Sequence, residues 1–197
     1  YDYWFNGSYN VKIKKVDMNV GLGLNINGGR YVNYVNGQKN STIRKSNGLE
    51  LNINKYKEDK FDFYVWNNFS YNTSESNTQK VSYWSSSGNA SLNINITKRF
   101  LVGTDADLTF RQKTDAFTGN NNFVVWNANM SYKIFKKKNG IFRLEMNDIL
   151  QQKRGYERTF NSNYVYERHY NTLGRYALLS FTWNFTKNPG APPAQTK

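Results

Sequence analysis

The stretch that decides the fold is the run Leu179-Ser180-Phe181-Thr182-Trp183-Asn184-Phe185, near the end of the chain. Apolar and polar side chains alternate in it, and the same two-residue period recurs over most of the 197 residues. A period of two indicates β-strands, because successive side chains of a strand point to opposite faces. The sequence therefore predicts an all-β protein whose strands have one apolar and one polar face.

The composition of the two faces indicates the surroundings of these strands. Aromatic residues make up 17% of the chain and concentrate on the apolar face, whereas Asn, Ser and Thr fill the other. This pattern suits lipid on one side and water on the other. No apolar run approaches the ~20 residues of a membrane helix. The sequence predicts a transmembrane, antiparallel, up-and-down β-barrel.

The alternation divides residues 1–185 into nine predicted strands. They lie at about 1–14, 18–26, 49–54, 61–71, a fifth strand after residue 79 whose firmest part is 89–96, and then 100–110, 124–134, 142–147 and 176–185. Short turns alternate with long polar segments at 27–46, 72–79, 113–122 and 151–171. Outer-membrane barrels have short periplasmic turns and long extracellular loops. We therefore expect a periplasmic C-terminus and long loops on the outside.

An odd number of strands is unusual for a barrel of one bacterial chain, which normally has an even number. We therefore expect these strands to be the C-terminal portion of a larger barrel, with an N-terminal portion missing. The alternative is a small complete barrel of about eight to ten strands, with a tenth strand within residues 164–169.

The formal charge is +13, from 27 basic and 14 acidic residues, which suggests nucleic-acid binding. The basic clusters fall in the short turns rather than on one continuous face, so we predict anionic lipid headgroups beside them and no nucleic acid. The clusters are Lys12, Lys14 and Lys15; Lys55, Lys57 and Lys60; Lys98 and Arg99; and Lys136, Lys137 and Lys138.

The end of the chain resembles a known family. Asn147-Asp148-Ile149-Leu150 is followed by a loop rich in Tyr and Arg, and then by Leu173-Gly174-Arg175-Tyr176-Ala177-Leu178 and the run quoted first. This order resembles the end of the Bacteroidetes outer-membrane β-barrel family related to TonB-dependent transporters. The specific match covers about residues 147–185, and the remaining strands agree only in pattern. The residues that match the barrel-closing strand include Tyr176, Phe181, Trp183 and Phe185.

The resemblance implies a larger barrel with a plug that takes part in uptake of a bulky nutrient across the bacterial outer membrane. The implied partners are outer-membrane lipid and lipopolysaccharide, an outer-membrane lipoprotein or other complex subunits, and a periplasmic energy-coupling protein. Chains of the family usually end at the closing aromatic residue. Here residues 186–197 add a tail with three prolines, which we predict to be disordered and periplasmic.

Four charged residues are predicted to face the barrel interior: Asp105, Asp107, Arg143 and Glu145. The two aspartates share one face about 7 Å apart, so glycosidase-like or metal chemistry is an alternative for them. We favour a structural role in which Lys133, Arg143 or Arg111 neutralises them across neighbouring strands.

No catalytic residue, metal ligand or cofactor is predicted, and we expect the protein not to be an enzyme. The one histidine, His169, lies in an aromatic and basic loop, and we interpret it as an exposed or interfacial loop residue. The chain has no cysteine, which excludes disulfides and thiolate metal sites. No phosphate-binding loop, metal-ligand spacing or nucleophile motif occurs.

The last long loop is the best candidate binding surface. Tyr and Arg supply large contact areas and planar hydrogen bonding, which suits recognition of a protein or a glycan. The alternative is that the loop only packs over the extracellular rim. The candidate residues are Arg154, Tyr156, Arg158, Tyr164, Tyr166 and Arg168.

Three functions remain open at this point. The first is a transporter-type barrel, and the second is a structural or accessory barrel subunit of an outer-membrane complex that does not transport. The third is a soluble β-sandwich that binds a partner. A plug domain upstream would distinguish the transporter from the accessory subunit. A need for detergent would distinguish both barrels from the soluble sandwich.

Overall fold

A computed structural model describes residues 1–77, 79–115, 119, 122–160 and 165–185, with the backbone alone at residues 35, 158–160 and 165. The described chain is all-β, as the alternation predicts. Its eleven strands are β1 (Asp2–Ile13), β2 (Met18–Val35), β3 (Gln38–Lys57), β4 (Phe61–Glu75), β5 (Lys80–Asn95), β6 (Phe100–Arg111), β7 (Phe123–Ile134), β8 (Gly140–Asn147), β9 (Gly155–Phe160), β10 (Val165–Tyr170) and β11 (Tyr176–Trp183).

Nine of the strands form one antiparallel sheet in the order β1-β2-β3-β4-β5-β6-β7-β8-β11. Each strand from β1 to β7 pairs with the next one along the chain, which is an up-and-down arrangement, and β8 pairs with β11. β1 and β11 are the two edges, and within the described residues the sheet is open. β9 and β10 pair with each other in a separate hairpin. The prediction of nine strands therefore holds for the large sheet, and the hairpin adds two more.

The pairing register gathers most of the apolar side chains of the nine strands on one face, although a few, such as Trp66 and Leu178, lie on the other. Leu22 lies opposite Leu51, and Leu144 lies opposite both Met130 and Leu179. Directly opposite residues of antiparallel strands share a face. Leu92, Ile94, Leu108, Trp126, Met130, Leu144 and Leu179 lie on this apolar face, and Asn93, Asp105, Asp107, Asn129, Glu145 and Thr182 lie on the polar face.

The prediction of a long loop at residues 27–46 is wrong. β2 and β3 stay paired through this segment and are joined by Asn36 and Gly37 alone, with φ of 50° and 77°. Two positive φ values are typical of a type I′ turn, for which Asn-Gly is a preferred sequence. The segment lacks apolar alternation, but its backbone hydrogen bonds continue the ladder that the apolar parts of both strands begin.

Two other predicted loops contain strand as well. β4 runs to Glu75 and β5 begins at Lys80, which leaves only residues 76–79 between them. The segment 151–171 contains the β9–β10 hairpin, and β10 covers most of the alternative tenth strand. The strict alternation of short and long connections is therefore wrong for the first half of the sheet. It holds for the second half, where residues 112–122 and 148–175 form the long connections.

The apolar face has no second layer over it in the described part of the chain. Each described strand contacts only its hydrogen-bonded neighbours. Val81, at 6% exposure, is the single buried hydrophobic residue in the described part of the chain, and it lies on the polar face. The accessible surface of 14569 Å² exceeds the roughly 9,600 Å² of a compact protein of 23.0 kDa. Exposed members of the apolar face include Leu22, Leu49, Phe69, Trp84, Ile94, Met130, Phe142, Leu144 and Phe181.

Candidate functional site

The polar face is a network of short side chains that bond to each other across strands. Asn72 accepts a hydrogen bond from Ser46 at 2.8 Å and donates one to Ser85 at 2.8 Å, which links β3, β4 and β5. Asn19 donates to Asn54 at 2.9 Å between β2 and β3. The register explains these bonds, because Ser46 lies directly opposite Asn72, Asn19 lies directly opposite Asn54, and Ser85 is a diagonal neighbour of Asn72.

Asp105 and Asp107 are held by amides of the neighbouring strands. Asn127 Nδ2 donates to Asp105 Oδ2 at 2.7 Å, and Asn89 Nδ2 donates to Asp107 Oδ1 at 2.7 Å. Each asparagine lies directly opposite its aspartate in the ladder. The prediction that Lys133, Arg143 or Arg111 neutralises them is therefore wrong. The amides occupy the positions nearest to the carboxylates, and the register places no cation at those positions.

Arg143 and Glu145 form an ion pair, with Arg143 Nε 2.6 Å from Glu145 Oε1. Both side chains project from the polar face of β8, two residues apart. They are part-exposed, so the pair adds little to stability. The arrangement agrees with a structural role for these two residues.

Asp148 is a functional candidate that the sequence does not mark, although it belongs to the segment that carries the family resemblance. The side chain is 2% exposed, and its carboxylate accepts hydrogen bonds from the backbone N–H of Gln152 at 2.9 Å and of Lys153 at 3.1 Å. Its own N–H donates to Asn127 Oδ1 at 2.9 Å, and its φ is 51°. Asp148 therefore ends β8 and fixes the start of the last long connection.

The six candidate binding residues do not share one surface. In the β9–β10 hairpin, Tyr156 lies opposite His169, with their rings 5.0 Å apart, and its hydroxyl donates to Glu167 at 2.6 Å. Tyr166 and Arg168 lie on the opposite face of the hairpin.

Of the other three candidates, Arg154 lies outside the hairpin, and the side chains of Arg158 and Tyr164 are not among the described residues. Arg154 lies just before the hairpin and lines a cavity of about 290 Å³ together with Asp107 and Tyr176. The side chain of Arg158 and the whole of Tyr164 lie outside the described residues.

The residues matched to the closing strand divide between the two faces of the sheet. Phe181 and Trp183 lie on the apolar face of β11, and the Phe181 ring is 4.8 Å from that of Phe142. Phe185 follows the strand with its ring 5.8 Å from Trp183. Tyr176 lies on the polar face, opposite Asn147. The aromatic cluster at this edge therefore contains three of the four residues.

The four basic turns lie at one end of the sheet, which we call the basic end. They are the connections β1–β2, β3–β4, β5–β6 and β7–β8. Their charges act on each other: a hydrogen bond from Lys12 at 2.7 Å and its positive charge lower the pKa of Asp17, with smaller effects from Lys55 and Lys57. The first two basic clusters thus lie close enough to act on one carboxylate, and the topology places all four clusters along the same end of the sheet as a cationic rim.

The opposite end of the sheet, which we call the loop end, has a cavity of about 570 Å³ on the polar side. Residues of six consecutive strands, from Trp4 of β1 to Arg111 of β6, line it. The buried strand residues Thr42, Ser74 and Val81 lie on this face, whereas large side chains of the apolar face are exposed, so the sheet curves around its polar face. The polar face is therefore the concave one.

Among the described residues, no group of three metal-ligating side chains could hold an ion. That part of the chain also contains no helix that is long and apolar enough to cross a membrane. Comparison of the whole chain with models of protein families, with curated proteins and with solved structures finds no match.

Proposed function

We propose that the protein is an outer-membrane β-barrel of the TonB-dependent transporter type that takes part in uptake of a bulky nutrient. The observation that carries this proposal is the uncovered apolar face that continues across nine strands. Burial of one large apolar side chain contributes about 1.5 to 3 kcal/mol, so a face of this size is unfavourable in water. Lipid around the convex side would cover it without a second protein layer.

The open edges support a larger barrel. β1 and β11 each have a row of backbone N–H and C=O groups without a strand partner in the described chain. In a bilayer such groups must be paired, which is why only closed barrels cross with strands. We therefore propose that these nine strands are the C-terminal portion of a barrel that further strands close.

The two ends of the sheet suggest an orientation. We place the basic end in the periplasm beside anionic headgroups, where a cationic rim is favourable. Phe135, Trp183 and Phe185 lie at this end and would contribute to an aromatic girdle. The loop end, with the β9–β10 hairpin, then faces outward.

The transport step and its protein partners rest on the resemblance of residues 147–185. A lipoprotein or other outer-membrane subunit and an energy-coupling protein are the partners proposed on that basis. A second candidate is a non-transporting accessory subunit of an outer-membrane complex. The β9–β10 hairpin favours it, because this aromatic and charged hairpin contacts no other described strand and is available to a protein partner. A soluble sandwich is less favoured, because it needs two packed sheets.

Single-cysteine labelling tests the membrane assignment, and the chain has no native cysteine to interfere. Asn129→Cys and Met130→Cys are a matched pair, since they are adjacent in β7 and lie on opposite faces. In lipid vesicles, a membrane-impermeant maleimide is expected to modify residue 129 at least about tenfold faster than residue 130. In urea both must react alike. Equal rates in vesicles would overturn the barrel.

Isolation from membranes separates the two candidate functions. A transporter is expected to co-purify with a periplasmic energy-coupling protein, in an amount that rises when a substrate occupies the barrel. An accessory subunit is expected to co-purify with other outer-membrane proteins and to lose them when the β9–β10 hairpin is replaced by a short Gly-Ser linker. Neither kind of partner in the isolate would contradict both candidates.

A further inference from the structure

We propose that the cavity at the loop end binds an organic anion through Arg44 and Arg111. This site rests on the proposed function for its role, because in the proposed barrel it would be the first interior site that a nutrient meets from outside. Its chemistry follows from the cavity alone. The residues that line the cavity include Trp4, Tyr31, Arg44, Ser74, Tyr83 and Arg111.

Two guanidinium groups reach the cavity from different parts of the sheet. Arg44 lies on β3 and Arg111 on β6, and both are part-buried. The side chain of Lys45 lies on the opposite, apolar face, and Asp2 is the only carboxylate among the described residues that line the cavity. The cavity therefore carries net positive charge. A guanidinium binds carboxylate, phosphate or sulfate with two parallel hydrogen bonds, which makes Arg the preferred residue for such anions.

Aromatic rings position both cations. The Arg111 guanidinium carbon lies 4.1 Å from the centre of the Tyr83 ring, and that of Arg44 lies 5.8 Å from the centre of the Tyr31 ring. Stacking orients the planar group and reduces the freedom that it would lose when a ligand binds. The rings, together with Trp4, also offer apolar surface to the body of a ligand. Anion and apolar body would thus be recognised side by side.

A buried hydroxyl points to a missing hydrogen-bond partner at the same place. Ser74 lines the cavity, is 9% exposed, and its Oγ has no hydrogen-bond partner. It lies directly opposite Arg44 in the ladder and therefore on the same face of the sheet. Buried polar atoms without a partner are rare in proteins. An oxygen of a bound anion would accept from this hydroxyl.

The size and polarity of the cavity narrow the class of ligand. A volume of about 570 Å³ lies in the range of clefts that bind whole organic molecules rather than single inorganic ions. Two guanidinium groups and one hydroxyl suit a ligand with one or two carboxylate, phosphate or sulfate groups. The three rings suit a flat or partly apolar body. An aromatic or otherwise planar organic polyanion meets these requirements.

The test uses the full-length barrel, including the strands that close it, in a neutral detergent, with pyranine, a fluorescent pyrene with three sulfonate groups, as the probe. Fluorescence anisotropy measures its binding. We expect Arg44→Gln and Arg111→Gln each to weaken binding by about tenfold or more, since hydrogen bonds between charged groups are strong. Arg44→Lys and Arg111→Lys keep the charge but lose the fork and are expected to weaken it by a smaller factor. Ser74→Ala is expected to weaken binding without changing the charge.

Matched controls separate this site from the general positive charge of +13. Arg143→Gln removes an arginine from the same face but outside the cavity, and Lys136→Gln removes a charge at the basic end. Both are expected to change pyranine binding by less than about twofold. Competition with benzenehexacarboxylate and with inorganic phosphate distinguishes a planar organic anion from phosphate alone.

Absence of pyranine binding, or equal loss in the controls and in the cavity variants, would overturn the site. Stronger competition by inorganic phosphate than by the planar carboxylate would overturn the ligand class. These measurements are made in detergent, so they can fail while the vesicle labelling of residues 129 and 130 succeeds. Failure of the site is therefore distinguishable from failure of the proposed membrane barrel.

Discussion

Arginine placed at Leu144 should reveal whether the apolar face meets lipid. Leu144 is the fifth of the eight residues of β8, which puts it about 14 Å along the strand and about 10 Å along the membrane normal at a tilt of about 45°. An apolar band about 25 Å tall then places it near the middle of the bilayer. An arginine there is expected to lower the free energy of unfolding by about 2 to 4 kcal/mol.

The same substitution has a smaller cost if water covers this face. Leu144 is already 41% exposed, so a water-covered sheet would lose only part of the about 1.5 to 3 kcal/mol of a fully buried leucine, and the arginine stem would recover some of it. Leu144→Ala measures this packing loss alone. The difference between the arginine and alanine variants therefore reports the surrounding solvent.

Two further variants test whether the cost of an arginine depends on the face of the sheet and on the distance from the membrane interface. Asn129→Arg lies on the polar face opposite Glu145, so a favourable charge pair is expected and the cost should stay below about 1 kcal/mol. Ile96→Arg lies in a turn at the basic end and is 58% exposed; near the interface the cost falls to about 0 to 1 kcal/mol. Reversible urea unfolding from lipid vesicles measures all four variants. Equal costs at residues 144 and 129 would refute the reasoning.

Three other changes have direct outcomes. Asp148→Ala removes the acceptor of two backbone hydrogen bonds and should lower the free energy of unfolding by about 2 to 3 kcal/mol, whereas an unchanged value would contradict its role. Gly155→Ala would overlap a backbone carbonyl across the β9–β10 pair and should make the hairpin sensitive to protease, whereas Gly174→Ala, with open space around it, should not. Deletion of residues 186–197 should leave membrane insertion intact while Phe185→Asp reduces it, and loss of insertion in the deletion variant would show that the closing strand is wrongly assigned.

Much of the sheet can be predicted from the sequence, because alternation encodes both strand and face. The run Val102 to Phe110 alternates clearly, and β6 has the predicted bounds to within one residue. The parts of β2 and β3 nearest the loop end, within residues 27–46, could not be predicted in this way. Polar and apolar side chains are mixed on both faces there, so no alternation is visible and only the Asn36-Gly37 pair marks the hairpin.

The candidate site was predicted less well than the fold. Alternation correctly puts Asp105 and Asp107 on one face, but their partners depend on which residue of the next strand lies opposite them, and that register is a property of the whole sheet. The meeting of the two cavity arginines could not be predicted for a similar reason. Arg44 and Arg111 are far apart in the chain and meet one cavity because the sheet curves. No local pattern encodes that curvature.

The role of Asp148 changes what the family resemblance can support. Its carboxylate accepts two backbone hydrogen bonds and its N–H donates to Asn127 of β7. The Asn147-Asp148-Ile149-Leu150 segment therefore has a structural role. It stops β8, turns the chain with a positive φ, and starts the connection to β11. A shared segment of this kind therefore indicates a shared way of ending the sheet and says nothing about a ligand. Binding specificity must instead come from elsewhere, such as the cavity at the loop end, whose side chains are not fixed by any requirement of the sheet.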